Sequence, residues 1–139
     1  MINSKLIYKV LGQLLFIEAF LLFISLLVAY YYQQDDIFAF IVATLITIGG
    51  GFILKWKGHG ADNSMSRRDA YLVVSLSWII FSLFGTLPFM VSGYINNFTD
   101  AYFETMSGFT TTGATILDDV ECVPHGLLFW RSLTQWIGG

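Results

Sequence analysis

The chain has 139 residues, 55% of them hydrophobic and only 12% charged, with a formal net charge of −3. That charged share is about half the ~25% of an ordinary soluble domain. It cannot clothe a globule of this size, which excludes a water-soluble domain, a nucleic-acid binder and a disordered tail.

The apolar residues come in blocks that each reach the roughly 18 residues needed to cross a bilayer. The first, Val10 to Tyr32, carries a single charge, Glu18. It is too long for the ~7–15-residue core of a signal peptide, and its closing Tyr30-Tyr31-Tyr32 offers no small-residue cleavage site. A retained membrane anchor is predicted, with its tyrosines at headgroup level. Glu18 within it is expected to snorkel, to pair with a neighbouring helix or to be protonated; a carboxylate at such depth is otherwise a functional candidate. After the polar break Gln33-Gln34-Asp35-Asp36, a second span is predicted over Ile37–Trp56, its Gly49-Gly50-Gly51 run suited to close helix packing. The basic, Gly- and Ser-rich segment Lys57–Arg68 follows. A third span is predicted over Asp69–Val91, with Pro88 and Gly93 marking its end, and a last one begins at Pro124 or His125.

Lys5, Lys9, Lys55, Lys57, Arg67 and Arg68, six of the seven basic residues, fall at one end of these spans. Seven of the ten acids, Asp35, Asp36, Asp100, Glu104, Asp118, Asp119 and Glu121, fall at the other. The positive-inside rule places the basic end and the N-terminus in the cytoplasm. The single cysteine, Cys122, rules out an internal disulfide framework. The two histidines, His59 and His125, lie on different loops, so no zinc site is expected. No nucleophile–base pair is present, so an enzyme is not expected, and no cofactor is called for.

Between the third and last spans lies the segment with chemical content. Phe98, Ala101, Tyr102, Thr105, Met106 and Phe109 recur at three and four, predicting a short helix over Asp100–Phe109 with Thr99 as its cap, Asp100 in its first turn and Gly108 as its end signal. Ten residues span about 15 Å, half the ~30 Å hydrocarbon core. A half-length helix that must return to the side it entered is a re-entrant loop. The Thr110-Thr111-Thr112-Gly113-Ala114-Thr115 run after it lies at membrane depth, where irregular backbone is tolerated only in buried protein or along a water-filled path. Small side chains and Gly113 let successive carbonyls face one way and replace the hydration shell of a cation. The carboxyl end of the short helix would add negative potential, and the acidic outer face would concentrate cations. Arg131 in the last span is placed either to pair with Glu104 or the Asp118–Glu121 cluster, bracing the loop, or to snorkel to the interface.

Phe103-Glu104-Thr105-Met106-Ser107-Gly108-Phe109-Thr110-Thr111-Thr112-Gly113-Ala114-Thr115 resembles the first pore loop of the Trk/Ktr/HKT superfamily of potassium transporters. The stretch from Pro124 to Gly139 resembles the helix that follows it there, and two extra amino-terminal spans are similar to the TrkH branch. The resemblance implies an all-α integral membrane fold. Residues 1–60 would be a two-helix transmembrane hairpin, and residues 61–139 the first helix–pore loop–helix unit of a K⁺-channel-like pore, truncated in its second helix. Four such units would surround one pore, so the chain is expected to be a fragment of a longer protein or a truncated reading frame. By the same resemblance Thr111, Thr112, Gly113 and Ala114 would offer potassium-coordinating carbonyls, with potassium bound only in transit. The implied setting is the cell (inner) membrane. The implied partners are membrane lipid, a second copy in a homodimer and a cytosolic nucleotide-binding regulatory subunit of the TrkA type, with no nucleic acid. The alternative reading is a non-conducting membrane scaffold or assembly subunit.

Overall fold

The computed structural model describes residues 2–117 and 123–139. Asp118, Asp119 and Glu121, expected to recruit cations, lie outside the described residues, as does Cys122. Six helices follow in order: α1 (Ser4–Tyr32), α2 (Ile37–Lys57), α3 (Arg67–Gly85), α4 (Leu87–Ser92), α5 (Phe98–Phe109) and α6 (His125–Gly138), with no strand among the described residues. Three stretches, Ser4–Tyr32, Ile37–Lys57 and Arg67–Ser92, are long and apolar enough to cross a membrane.

The boundaries differ from the sequence expectation where polar side chains cap helices. α1 begins at Ser4 rather than Val10, because the Asn3 side chain accepts the Leu6 N–H. α3 begins at Arg67 rather than Asp69. Ser66 accepts the Asp69 N–H and Asp69 accepts the Ser66 N–H, a reciprocal capping box. Asp69 also accepts the Asn3 N–H at 3.0 Å, tying the start of α3 to the start of α1. The third span is not one continuous helix. Pro88 has no N–H to give and its ring crowds the preceding turn, so the helix breaks at Thr86 and restarts as α4 with the proline in its first turn.

α1 and α2 form a close antiparallel pair. A Cβ on Gly12 would fall 2.8 Å from the Lys55 N and 2.9 Å from the Gly51 O, so the backbones touch where both residues are glycine. Gly50 receives the Phe84 ring, whereas nothing approaches Gly49, so only part of the triglycine serves packing. One apolar core joins the hairpin to the rest: Leu22, Ala29, Phe40 and Ala43 pack with Phe89, Phe109, Leu127 and Trp130. Trp130 is fully buried and donates its indole N–H to the Gly85 carbonyl at 3.1 Å, while Trp136 is exposed.

The turn between α1 and α2 grips the start of α6. Asp36 Oδ2 accepts the Leu127 N–H at 3.1 Å, Gln34 Oε1 accepts the His125 N–H at 2.6 Å, and the His125 ring stacks on Tyr32 with centroids 4.1 Å apart. α6 begins at His125, and Pro124 before it has no capping side chain of its own; the cap comes from 91 residues away. Burial pushes the Asp36 carboxyl above the usual range, against the pull of the backbone N–H groups it accepts.

Candidate functional site: the segment Thr110–Thr115 and its supports

α5 follows α4 after a five-residue loop. It ends where Phe109 meets Phe81, midway along the third span, with ring centroids 5.7 Å apart. His125 lies at the α1–α2 turn. The cap of α5 is Asn97, whose side chain accepts the Thr99 N–H at 3.0 Å, not Thr99 itself. Both residues are cap formers two positions apart, and the helix runs from Phe98 because Asn97 takes the extended conformation of a cap. Gly108 lies inside the helix rather than ending it. Its missing Cβ lets Thr134 of α6 press against the backbone.

The run after α5 is irregular and anchored on one side. The N–H groups of Thr110, Thr111 and Thr112 return to the carbonyls of Met106, Gly108 and Ser107 at 2.9–3.0 Å. The Ser107 hydroxyl donates to the Ala114 carbonyl at 2.6 Å. Glu104, buried on α5, accepts the Thr115 hydroxyl at 2.9 Å and the Ile116 N–H at 3.1 Å. It is also ion-paired with the Arg131 Nε of α6. Arg131 therefore braces the loop through Glu104, the first of the two roles open to it in the sequence. Thr111 has φ +56°, an unusual conformation for a β-branched residue, and Gly113 has φ +79°. A Cβ on Gly113 would meet nothing within 4 Å.

These bonds leave a pattern. Among the described residues, no donor reaches the carbonyls of Thr111, Thr112 or Gly113, whereas that of Ala114 is shared with Ser107. The segment gives the N–H groups of Thr110, Thr111 and Thr112 backwards to α5 and leaves three successive carbonyls without a donor among the described residues, acceptors that suit a cation. The Ser107 tether, the trans cap Asp36 and the strained Thr111 were not singled out from the sequence. Only the Ser/Thr richness of the run hinted at hydroxyl tethers.

Glu18 is 2% exposed, and neither carboxylate oxygen has a hydrogen-bond partner among the described residues. Its Oε1 lies beside Gly85, so it neither snorkels nor pairs with a described cation.

A family model described as TrkH, cation transport protein, matches residues 33–139. The chain belongs to this family. It is 35% identical over 99% of its length to the Trk system potassium uptake protein TrkH of Halomonas elongata, and equally to that of Escherichia coli. It superposes on the crystal structure of the potassium transporter TrkH from Vibrio parahaemolyticus with a TM-score of 0.90 at 29% identity, covering 96% of this chain. The chain spans 29% of the length of each of these TrkH relatives. These relatives are named as transporters rather than enzymes, and as a TrkH-family chain with three membrane-capable helices this is a multi-pass membrane protein.

Proposed function

We propose that this TrkH-family chain supplies the first quarter of a potassium path: one filter strand, Thr110–Thr115, in a protein of four helix–pore loop–helix units. Thr111, Thr112, Gly113 and Ala114 offer backbone carbonyls to K⁺ in transit, and no cofactor takes part. The observation that carries the reading is the run of three successive carbonyls, Thr111–Gly113, that no donor reaches among the described residues, just past the end of α5. The relatives' names as potassium uptake proteins support potassium as the cargo. The basic end, with Lys5, Lys9, Lys57, Arg67 and Arg68, faces the cytoplasm of a cell with this protein in its inner membrane, as the positive-inside rule directs. A homodimer and a cytosolic nucleotide-binding subunit of the TrkA type complete the proposed assembly, the Lys57–Arg68 loop being a contact for the latter.

The test is Gly113→Ser in the full-length protein. Because a Cβ there meets open space, the substitution acts through the backbone, disfavouring φ +79° by about 1–2 kcal/mol. The expected result is loss of K⁺ over Na⁺ discrimination in uptake or reversal potential at matched expression, with folding retained. Thr111→Ser, which keeps the hydroxyl, should change little. Unaltered discrimination and rate in Gly113→Ser would remove Thr110–Thr115 from the ion path and favour a non-conducting scaffold.

A further inference from the structure

At the basic end of the hairpin, a cavity of about 570 Å³ opens between the first turns of α1 and the last turn of α2. Its wall includes Lys9, Lys55, Phe52, Trp56, Gly58 and His59. Gly58 shapes it: a Cβ there would fall 2.6 Å from the Lys5 O and 2.8 Å from the Lys9 Cα, so only glycine lets the end of α2 lie against α1 and hold the two lysines on either side of one hollow. No acid lines it. Lys9 Nζ is steadied by Asn63 Oδ1 at 3.2 Å and Lys55 Nζ lies 5.8 Å from the centre of the Phe16 ring, yet neither makes an ion pair with a described residue. The cavity continues into an apolar strip. Leu45, Phe52 and Trp56 are spaced by seven and four on one face of α2 and are 65%, 61% and 77% exposed.

We propose that this hollow is a binding site for an anionic glycerophospholipid of the leaflet on the basic side. The phosphate headgroup sits between Lys9 and Lys55, and an acyl chain runs along Phe52 and Leu45. The charge sign, the lack of an acid in the wall and the position at the end of two spans select an anion. The apolar strip leading from the hollow toward the bilayer centre selects a lipid over a free phosphate. Trp56 stands at the boundary, as an interfacial indole does, and the two lysines supply point charges that hold a phosphate without demanding one geometry.

The full-length protein in nanodiscs tests this. Trp56 fluorescence, isolated as the difference between the wild type and Trp56→Phe, is quenched by acyl-brominated phosphatidylglycerol or by acyl-brominated phosphatidylethanolamine at the same mole fraction. The expected result is a clear excess of quenching by the anionic lipid. The apparent affinity behind that excess should fall about fivefold for each of Lys9→Gln and Lys55→Gln, the equivalent of about 1 kcal/mol per basic residue at an anionic surface. Lys57→Gln, outside the cavity wall, should leave it intact. Equal quenching by both lipids, or an excess that survives both lysine substitutions, would overturn the proposal. So would an excess abolished by inorganic phosphate, which would make the site one for the free anion. None of these readouts depends on ion transport, so they stand or fall apart from the filter.

Discussion

Glu104 holds the segment proposed as the filter through Thr115, Ile116 and Arg131, and its removal gives a measurable prediction. Its side chain is 2% exposed and that of its partner Arg131 19%. Breaking a buried pair by deleting one partner costs about 3–5 kcal/mol, because the other charge is left uncompensated. Arg131 keeps some access to its surroundings, which places Glu104→Ala near the lower figure, about 3 kcal/mol. The same change also orphans the Thr115 hydroxyl and the Ile116 N–H. Glu104→Gln keeps an acceptor for one of them and loses the charge, so it should fall between. Removing both charges at once, Glu104→Gln with Arg131→Met, avoids the unpaired guanidinium. The double variant should recover about 2 kcal/mol relative to the sum of the singles. The assay is a double-mutant cycle on the apparent melting temperature of the full-length protein, read beside K⁺ and Na⁺ uptake. Glu104→Ala should lower both melting temperature and ion discrimination. A coupling below about 0.5 kcal/mol, the level of independent sites, would refute the brace, as would wild-type melting and discrimination in Glu104→Ala.

Asp36→Ala should cost about 1–2 kcal/mol as the loss of a helix cap, and Gly126→Ala should destabilise as well, since its Cβ would collide with the Asp36 carboxylate and fall 2.8 Å from the Ala29 Cβ. Asp36→Asn should stay near wild type in thermal melts. Burial raises the folded carboxyl's pKa, so the acid's stabilising contribution is full below the ordinary carboxylate pKa and is lost as pH rises toward the raised one. The Asn variant should lack that slope, and an unchanged slope would assign it to another group. In a Cys122→Ser background, a cysteine at Asn96 should react with an impermeant thiol reagent added outside the cell and one at Asn63 should not; the reverse pattern would invert the topology.

The spans were legible in the sequence because uninterrupted apolar length is a coarse signal that no packing detail overrides. The short helix was legible because its three- and four-residue repeat ends in a Thr/Gly run with no helical future. What the sequence concealed is local competition and distant contact. Asn97 and Thr99 are equally good caps on paper, and only the extended backbone at Asn97 decides between them. Pro88 was visible as a terminator, but its effect falls upstream, at Thr86, because it is the preceding turn that loses its bond. The Asp36 cap spans 91 residues and the Glu104–Arg131 pair 27, separations at which no periodicity speaks. Glu18 was flagged, yet its complete enclosure against Gly85 is a product of packing alone.

The sequence also suggested that the carboxyl end of α5 would itself face the ion. The structure changes how that negative potential is delivered. The last carbonyls of α5, those of Met106, Ser107 and Gly108, are taken by the N–H groups of Thr110, Thr112 and Thr111. Each such bond consumes an acceptor on the helix and a donor on the loop. With those three donors turned back to the helix, the free acceptors are transferred three to five residues past Gly108, to the carbonyls of Thr111–Gly113, which no donor reaches among the described residues. That transfer requires the chain to turn sharply at the helix end, which the positive φ of Thr111 and Gly113 accomplishes. It also requires the far side of the segment to be held, which Ser107 accomplishes at Ala114 and Glu104 at Thr115 and Ile116. Side chains outside the Thr111–Gly113 run thus set which of its carbonyls are presented in the proposed filter. A hydroxyl at position 107 and a carboxylate at position 104 are as much part of the proposed filter's design as the glycine at 113.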